Sequence, residues 1–243
     1  MRILAITSED ASKVEPFILE HGVTYSVGIS TDSSAYGGGG IPHAYLIDPS
    51  GTVVWEGHPA SLSDGDIEKA TRKTKDFYVR KVTAELKPAA SAFEKGKLSE
   101  AKALAEAAKA DGRGDDVNGD ADYILARVSQ FLTFWNRTIE KSTETGRYDD
   151  VLDALEKIQK HYPDTDEATA AAAKEKELKA DPRVKAEMDA WKKLDKLIED
   201  VPDAKGNERK LKSIQKKLEK FLSSYSTSKA AKRAQQVLDA ISK

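Results

Sequence analysis

The apolar periodicity of this chain changes once, near residue 63, and that change commits it to a β-containing first part followed by a long helical one. Ile3-Leu4-Ala5-Ile6 is an unbroken apolar run, the pattern of a strand buried on both faces. Ser8 to His21 reads as a helix, with Ser8 or Asp10 as N-cap, Val14, Phe17 and Ile18 as its stripe, and Gly22 as its stop. Tyr25 to Ile29 is a second strand. His43-Ala44-Tyr45-Leu46-Ile47 and Thr52-Val53-Val54-Trp55-Glu56 are β-rich runs joined by Asp48-Pro49-Ser50-Gly51. That tetrapeptide has the Asp, Pro and Gly placements of a type I turn, so the pair predicts a hairpin.

From Ser63 the spacing becomes three and four. Ser63-x-x-Asp66 has the form of a capping box ahead of a long helix. Ile124, Val128, Phe131, Trp135 and Ile139 mark one buried helix face, and Val184, Met188, Trp191, Leu194 and Ile198 mark another. The acid- and glycine-rich stretch Asp111 to Asp120 predicts a loop between helices, and seven or eight helices follow residue 63 in all. Two echoes run through this part. Gly96-x-Leu98-x-x-Ala101-x-x-Leu104 matches Gly146-x-Tyr148-x-x-Val151-x-x-Ala154. Tyr162-Pro163-Asp164-Thr165-x-x-Ala168 matches Tyr225-Ser226-Thr227-Ser228-x-x-Ala231. The implied unit is a helix, a tight turn and a second helix whose small residues allow close packing. It resembles a tetratricopeptide hairpin, although the glycines lie 50 and the tyrosines 63 residues apart and no strict period joins them.

The sequence contains no cysteine, which excludes disulfides, thiolate metal sites and any thiol chemistry of its own. Net charge is −2 over 243 residues but unevenly spread. Residues 1–62 hold two basic and seven acidic side chains, whereas residues 183–243 hold sixteen basic and nine acidic ones. Only four apolar residues follow Arg2, too few for a signal-peptide core, and no apolar stretch approaches membrane-spanning length. The expectation is a cytoplasmic protein as written, or an extracytoplasmic one if the true N-terminus lies upstream, with no membrane contact.

Residues Arg2 to Pro59 resemble the thioredoxin-like redoxins, the group of peroxiredoxin-like and TlpA-like thiol oxidoreductases. The residues that carry the likeness are Ile3-Leu4-Ala5-Ile6-Thr7-Ser8-Glu9-Asp10, Gly40-Ile41-Pro42-His43-Ala44-Tyr45-Leu46-Ile47-Asp48 and Gly51-Thr52-Val53-Val54-Trp55-Glu56-Gly57-His58-Pro59. The resemblance implies a cis peptide at Ile41-Pro42, with Ile41 and Pro42 forming the loop that meets an extended substrate. It also implies a Cys-x-x-Cys segment upstream, at a helix start that lowers a thiol pKa, and this sequence lacks that segment. A central strand of the fold would be missing with it. The strands at Ile3–Ile6 and His43–Ile47 should then pair directly or be bridged by another element or a second copy, since buried unpaired backbone groups cost about 1–3 kcal/mol each.

No catalytic or metal-binding set emerges. His21, His43, His58 and His161 share no ligand spacing. Asp116-x-Asn118-x-Asp120 is followed by Ala121 where a calcium loop needs glycine, and Arg127 stands at its twelfth position. Gly37 to Gly40 lead into a strand and not a helix, so they are no phosphate loop. Arg113-Gly114-Asp115 reads as a coincidence. Lys205, Arg209, Lys212, Lys216 and Lys220 line one face of a helix whose other face is Leu211, Ile214, Leu218 and Phe221; without interleaved aromatic residues this is a solvated face. The expected class is α+β: an incomplete thioredoxin-like α/β unit over 1–62, then an all-α, tetratricopeptide-like domain over 63–243. The expected function is non-catalytic protein binding with no cofactor, and the incomplete sheet offers a route to self-association. The alternatives are a fragment of a thiol-disulfide oxidoreductase, its dithiol upstream of Met1, and nucleic-acid binding through the basic C-terminal helices.

Overall fold

A computed structural model describes residues 3–21, 23, 25–30, 40–48, 51–71, 77–112, 114–204 and 207–242. They form an α+β protein that is mostly helical. Strand β1 (Leu4–Thr7), helix α1 (Ala11–Glu20) and strand β2 (Ser26–Ile29) come first, then β3 (Ala44–Ile47), β4 (Val53–Gly57) and α2 (Asp64–Thr71). The helical part continues with α3 (Lys87–Glu94), α4 (Leu98–Ala110), α5 (Asp115–Thr145), α6 (Tyr148–His161) and α7 (Asp166–Ala180). It ends with α8 (Pro182–Glu199), the single turn α9 (Val201–Ala204), α10 (Glu208–Ser224) and α11 (Lys229–Ile241).

The four strands make two separate sheets. β1 and β2 pair in parallel, Leu4 against Ser26 and Thr7 against Ile29. β3 and β4 pair antiparallel, with Leu46 opposite Trp55 and Ile47 opposite Val53, so that Val54 is an extra residue in a bulge. The anticipated hairpin is present: Gly51 N–H donates to Asp48 O at 2.9 Å and Thr52 N–H to Asp48 Oδ1 at 3.0 Å. Among the described residues each sheet has two strands. Strand β1 is not buried on both faces, since Leu4 is 65% and Ile6 54% exposed. Two strands with one partner each cannot cover both faces of an apolar run. Indeed no described residue before Phe77 is fully buried.

The chain divides into two compact units, each assembled from distant segments: Met1–Gly37, Glu140–Val151 and Glu177–Lys243 in one, Gly38–Ile139 and Leu152–Lys176 in the other. The division falls within α5, α6 and α7, whereas the change of period in the sequence lies at residue 63. In the first unit the core is Trp191 and Leu194 of α8, Ile214, Leu218 and Phe221 of α10, and Ala230, Ala234 and Val237 of α11. Helix α1 also lies against α11, so the first and last helices of the chain are neighbours. In the second unit α3 and α4 form a close antiparallel hairpin around Leu86, Phe93, Leu98 and Ala101. Beside it the stripe Ile124, Val128, Phe131 and Trp135 of α5 faces inward as its spacing requires.

Two sequence expectations change here. Asp111 to Asp120 is not all loop, because α5 begins at Asp115 and runs through Gly119. Asp115 and Asp116 in its first turn suit the positive end of the helix dipole, which offsets the glycine. The capping box forms as read, with Asp66 N–H donating to Ser63 Oγ and Ser63 N–H to Asp66 Oδ2, both at 3.2 Å. The helix it starts is short, however, eight residues to Thr71. Ten α-helices follow Ser63 among the described residues, more than anticipated, because one-turn α9 and the short α2 and α3 have too few residues to show a period.

The sequence echoes are echoes of backbone. At Gly96 (φ +73°) and Gly146 (φ +79°) the chain closes a helix in the same way. Gly96 N–H donates to Phe93 O and Lys97 N–H to Ala92 O; Gly146 N–H donates to Thr143 O and Arg147 N–H to Ser142 O. These are two Schellman turns, which need a left-handed residue and so favour glycine. After α6 and after α10 a hydroxyl at the matching position receives a backbone N–H of the next helix, from three residues on in one case and two in the other: Thr165 Oγ1 from Ala168, Ser228 Oγ from Ala230.

Candidate functional site

Ile41 and Pro42, the loop singled out by resemblance, lie at the surface immediately before β3. Ile41 is 98% exposed, and the bond between them is cis. The four histidines are dispersed. His21 stacks on Phe17 at 4.0 Å and its Nδ1 is 3.0 Å from Phe17 O. His43 Nε2 is 3.1 Å from Glu56 Oε1 across the hairpin, and His58 Nδ1 accepts from Ala60 N–H. His161 donates from Nδ1 to Gly96 O at 2.7 Å and stacks on Trp135 at 5.4 Å. There it closes an aromatic cluster with Phe77, Phe93, Phe131 and Tyr162, whose hydroxyl donates to Val128 O at 2.5 Å. Burial pushes the Tyr162 hydroxyl well above the usual phenol range. Among the described residues no group of three His, Cys, Asp or Glu could hold a metal ion.

The acidic stretch supplies a structural carboxylate instead. Asp120, 8% exposed, accepts from Thr83 N–H at 2.7 Å and from Arg80 Nη2 at 3.0 Å, pinning the segment before α3 onto α5. Arg80 also lies 4.5 Å over the Tyr123 ring, and its backbone N–H donates to the Tyr123 hydroxyl. Asp120→Ala leaves the part-buried Thr83 N–H without its charged acceptor, a hydrogen bond worth about 1.5–3 kcal/mol, whereas the exposed Arg80 guanidinium regains water. A loss of that order in this unit's unfolding free energy, read from a lowered urea midpoint, is expected, together with faster amide exchange at Thr83.

The basic stripe is real in part. Arg209, Lys212 and Lys216 are exposed on α10 and line, with Glu208 and Ser213, an open depression of about 410 Å³; Lys220 continues the row, and Lys205 lies outside the described residues. Lys212 is held by Glu208 at 2.8 Å. Arg113 and Gly37 to Gly39 likewise fall outside the described residues.

A cluster in the first unit had no signature in the sequence. Arg147, directly after the Gly146 turn, grips both oxygens of Asp195 on α8 at 2.7 and 2.8 Å. Its guanidinium lies 4.0 Å over the Trp191 ring, and Trp191 Nε1 donates to Thr145 O. Glu187, one face of α8 away, accepts from Ser228 Oγ, Lys229 N–H and Ala230 N–H at the start of α11. Lys229 Nζ donates to Thr143 O at 2.7 Å, and Arg233 follows one turn later on α11. The echo at Gly146 was the only hint that Arg147 stands just before a helix; its partner is 48 residues away.

Compared with protein-family models, with curated proteins and with solved structures, the chain matches none of them. No described helix is long and apolar enough to cross a membrane.

Proposed function

We propose that this protein is non-catalytic and acts by binding another protein, with its helical hairpins serving as a tetratricopeptide-like scaffold. The observation that carries the reading is the repeated turn chemistry at Gly96 and Gly146 and again after α6 and α10. A helix pair reused along a chain builds extended faces, and such faces serve as docking surfaces. A second support is the set of large apolar side chains left outside any core. Ile3, Leu4, Ile6 and Ile29 in one unit and Ile41, Ile47, Val53 and Val54 in the other are each about half exposed or more. The thioredoxin-like character of residues 2–59 enters as part of the proposal. Its support is the element order strand-helix-strand, strand-strand-helix; the two separate sheets depart from that fold.

Nucleic-acid binding has one observation in its favour, the exposed row Arg209, Lys212, Lys216 and Lys220. The experiment is capture on the immobilised chain, followed by purification of the retained protein and calorimetric titration. Saturable binding with a negative heat-capacity change is expected, weakened by Leu4→Ser with Ile6→Ser, while insulin reduction stays at the buffer blank. A chain that takes up no protein partner but binds DNA or RNA with a steep salt dependence would replace this reading with the other.

A further inference from the structure

Around the Gly146 turn three cations meet two anions, and the anions are committed. Asp195 gives both oxygens to Arg147, and Glu187 is spent on the start of α11. Of the cations, Lys229 is satisfied by Thr143 O. Arg233, half-buried on the same face of α11 as Lys229, makes no hydrogen bond or ion pair among the described residues. Burial, and next the charge of Arg147, hold the Arg233 guanidinium below its ordinary pKa, and Asp195 offsets this only in part. A second guanidinium, half-buried one turn beyond Lys229 and within electrostatic reach of the first, with no acceptor among the described residues, is an arrangement that an incoming anion relieves.

We propose that Arg147 and Arg233 form an anion-binding pair that receives a carboxylate side chain from an acidic segment of the partner protein. The cluster of Arg147, Lys229 and Arg233 against Glu187 and Asp195 carries a formal charge of +1. One carboxylate neutralises it. Arg147 already shows the geometry: a planar fork on a carboxylate, backed by the Trp191 ring. The surrounding residues 183–243, with sixteen basic and nine acidic side chains, favour an acidic partner over a basic one. The inference rests on the protein-binding reading and adds the chemistry of the partner.

The test uses the full chain, with capped hexaglutamate as probe, hexaglutamine as neutral control and a single-stranded DNA oligonucleotide as the phosphate arm. Hexaglutamate is expected to shift the side-chain N–H resonances of Arg147 and Arg233, and Arg233→Gln to weaken its binding about tenfold. Arg233→Lys should recover part of that loss, and Arg209→Gln on α10 should change nothing. Urea melts of both Arg233 variants check the fold. Equal hexaglutamate affinity for Arg233→Gln and the unmodified chain overturns the pair, as does DNA shifting the same two resonances with the same dependence on Arg233. If the captured partner binds normally while hexaglutamate is ignored, this inference falls and the protein-binding reading stands.

Discussion

Replacing Phe93 by alanine is expected to destabilise its unit by about 3–5 kcal/mol, the usual cost of emptying a large buried aromatic site. Phe93 is fully buried, and its ring meets Phe77 edge-on at 5.9 Å and Phe131 at 5.8 Å. The cavity cannot easily collapse, since Phe131 is held in turn by Trp135 at 5.6 Å and Phe77 by His161 at 4.7 Å. Phe134, three residues along α5 from Phe131 and 42% exposed, is the internal control; its alanine variant should shift stability by less than about 0.5 kcal/mol. Urea unfolding followed by far-ultraviolet circular dichroism measures both. Equal shifts for Phe93→Ala and Phe134→Ala would mean that the aromatic cluster does not hold this unit together.

Gly96→Ala is expected to cost about 2–5 kcal/mol for two separable reasons. At φ +73° an alanine is strained by roughly 1–2 kcal/mol. Its Cβ would also stand 2.9 Å from His161 Nδ1 and from Phe77 Cε2. Both atoms belong to rings fixed within the cluster, so relief requires backbone movement, an overpacking cost of about 1–3 kcal/mol. Gly112 separates the two contributions. It has φ +63° with nothing within 4 Å of its would-be Cβ, so Gly112→Ala should show the strain alone. If both variants lose the same stability, the close approach of His161 and Phe77 to this turn is not what the glycine protects. The same substitution should broaden or shift the His161 ring resonances, because His161 Nδ1 donates to the carbonyl of Gly96 itself.

Much of the local structure was legible because its causes are local. A capping box, a turn with Asp, Pro and Gly in place, and a stripe such as Ile124, Val128, Phe131 and Trp135 are each written within a few residues. The two glycine turns were legible as an echo for the same reason. Residues whose structure depends on what covers them were misread. Ile3 to Ile6 has the composition of a doubly buried strand, yet no run of four residues can state whether its sheet will have two strands or five. Asp115 to Asp120 has the composition of a loop, yet α5 extends through it, with Asp120 held from outside by Arg80 and Thr83. The anion-poor cluster was invisible, since Arg147, Asp195 and Arg233 share no spacing.

The sequence alone determined that this is a cysteine-free chain, β-containing at its start and helical thereafter, with glycine-closed hairpins at 96 and 146, because period, turn chemistry and the absence of a thiol are properties of neighbouring residues or of composition. Tertiary structure alone decided that α1 lies against α11 and, among the described residues, that the strands part into two sheets and that a half-buried Arg233 is left without an acceptor. Those outcomes depend on which apolar faces meet and which charges are already paired, and both are settled between residues tens to hundreds of positions apart.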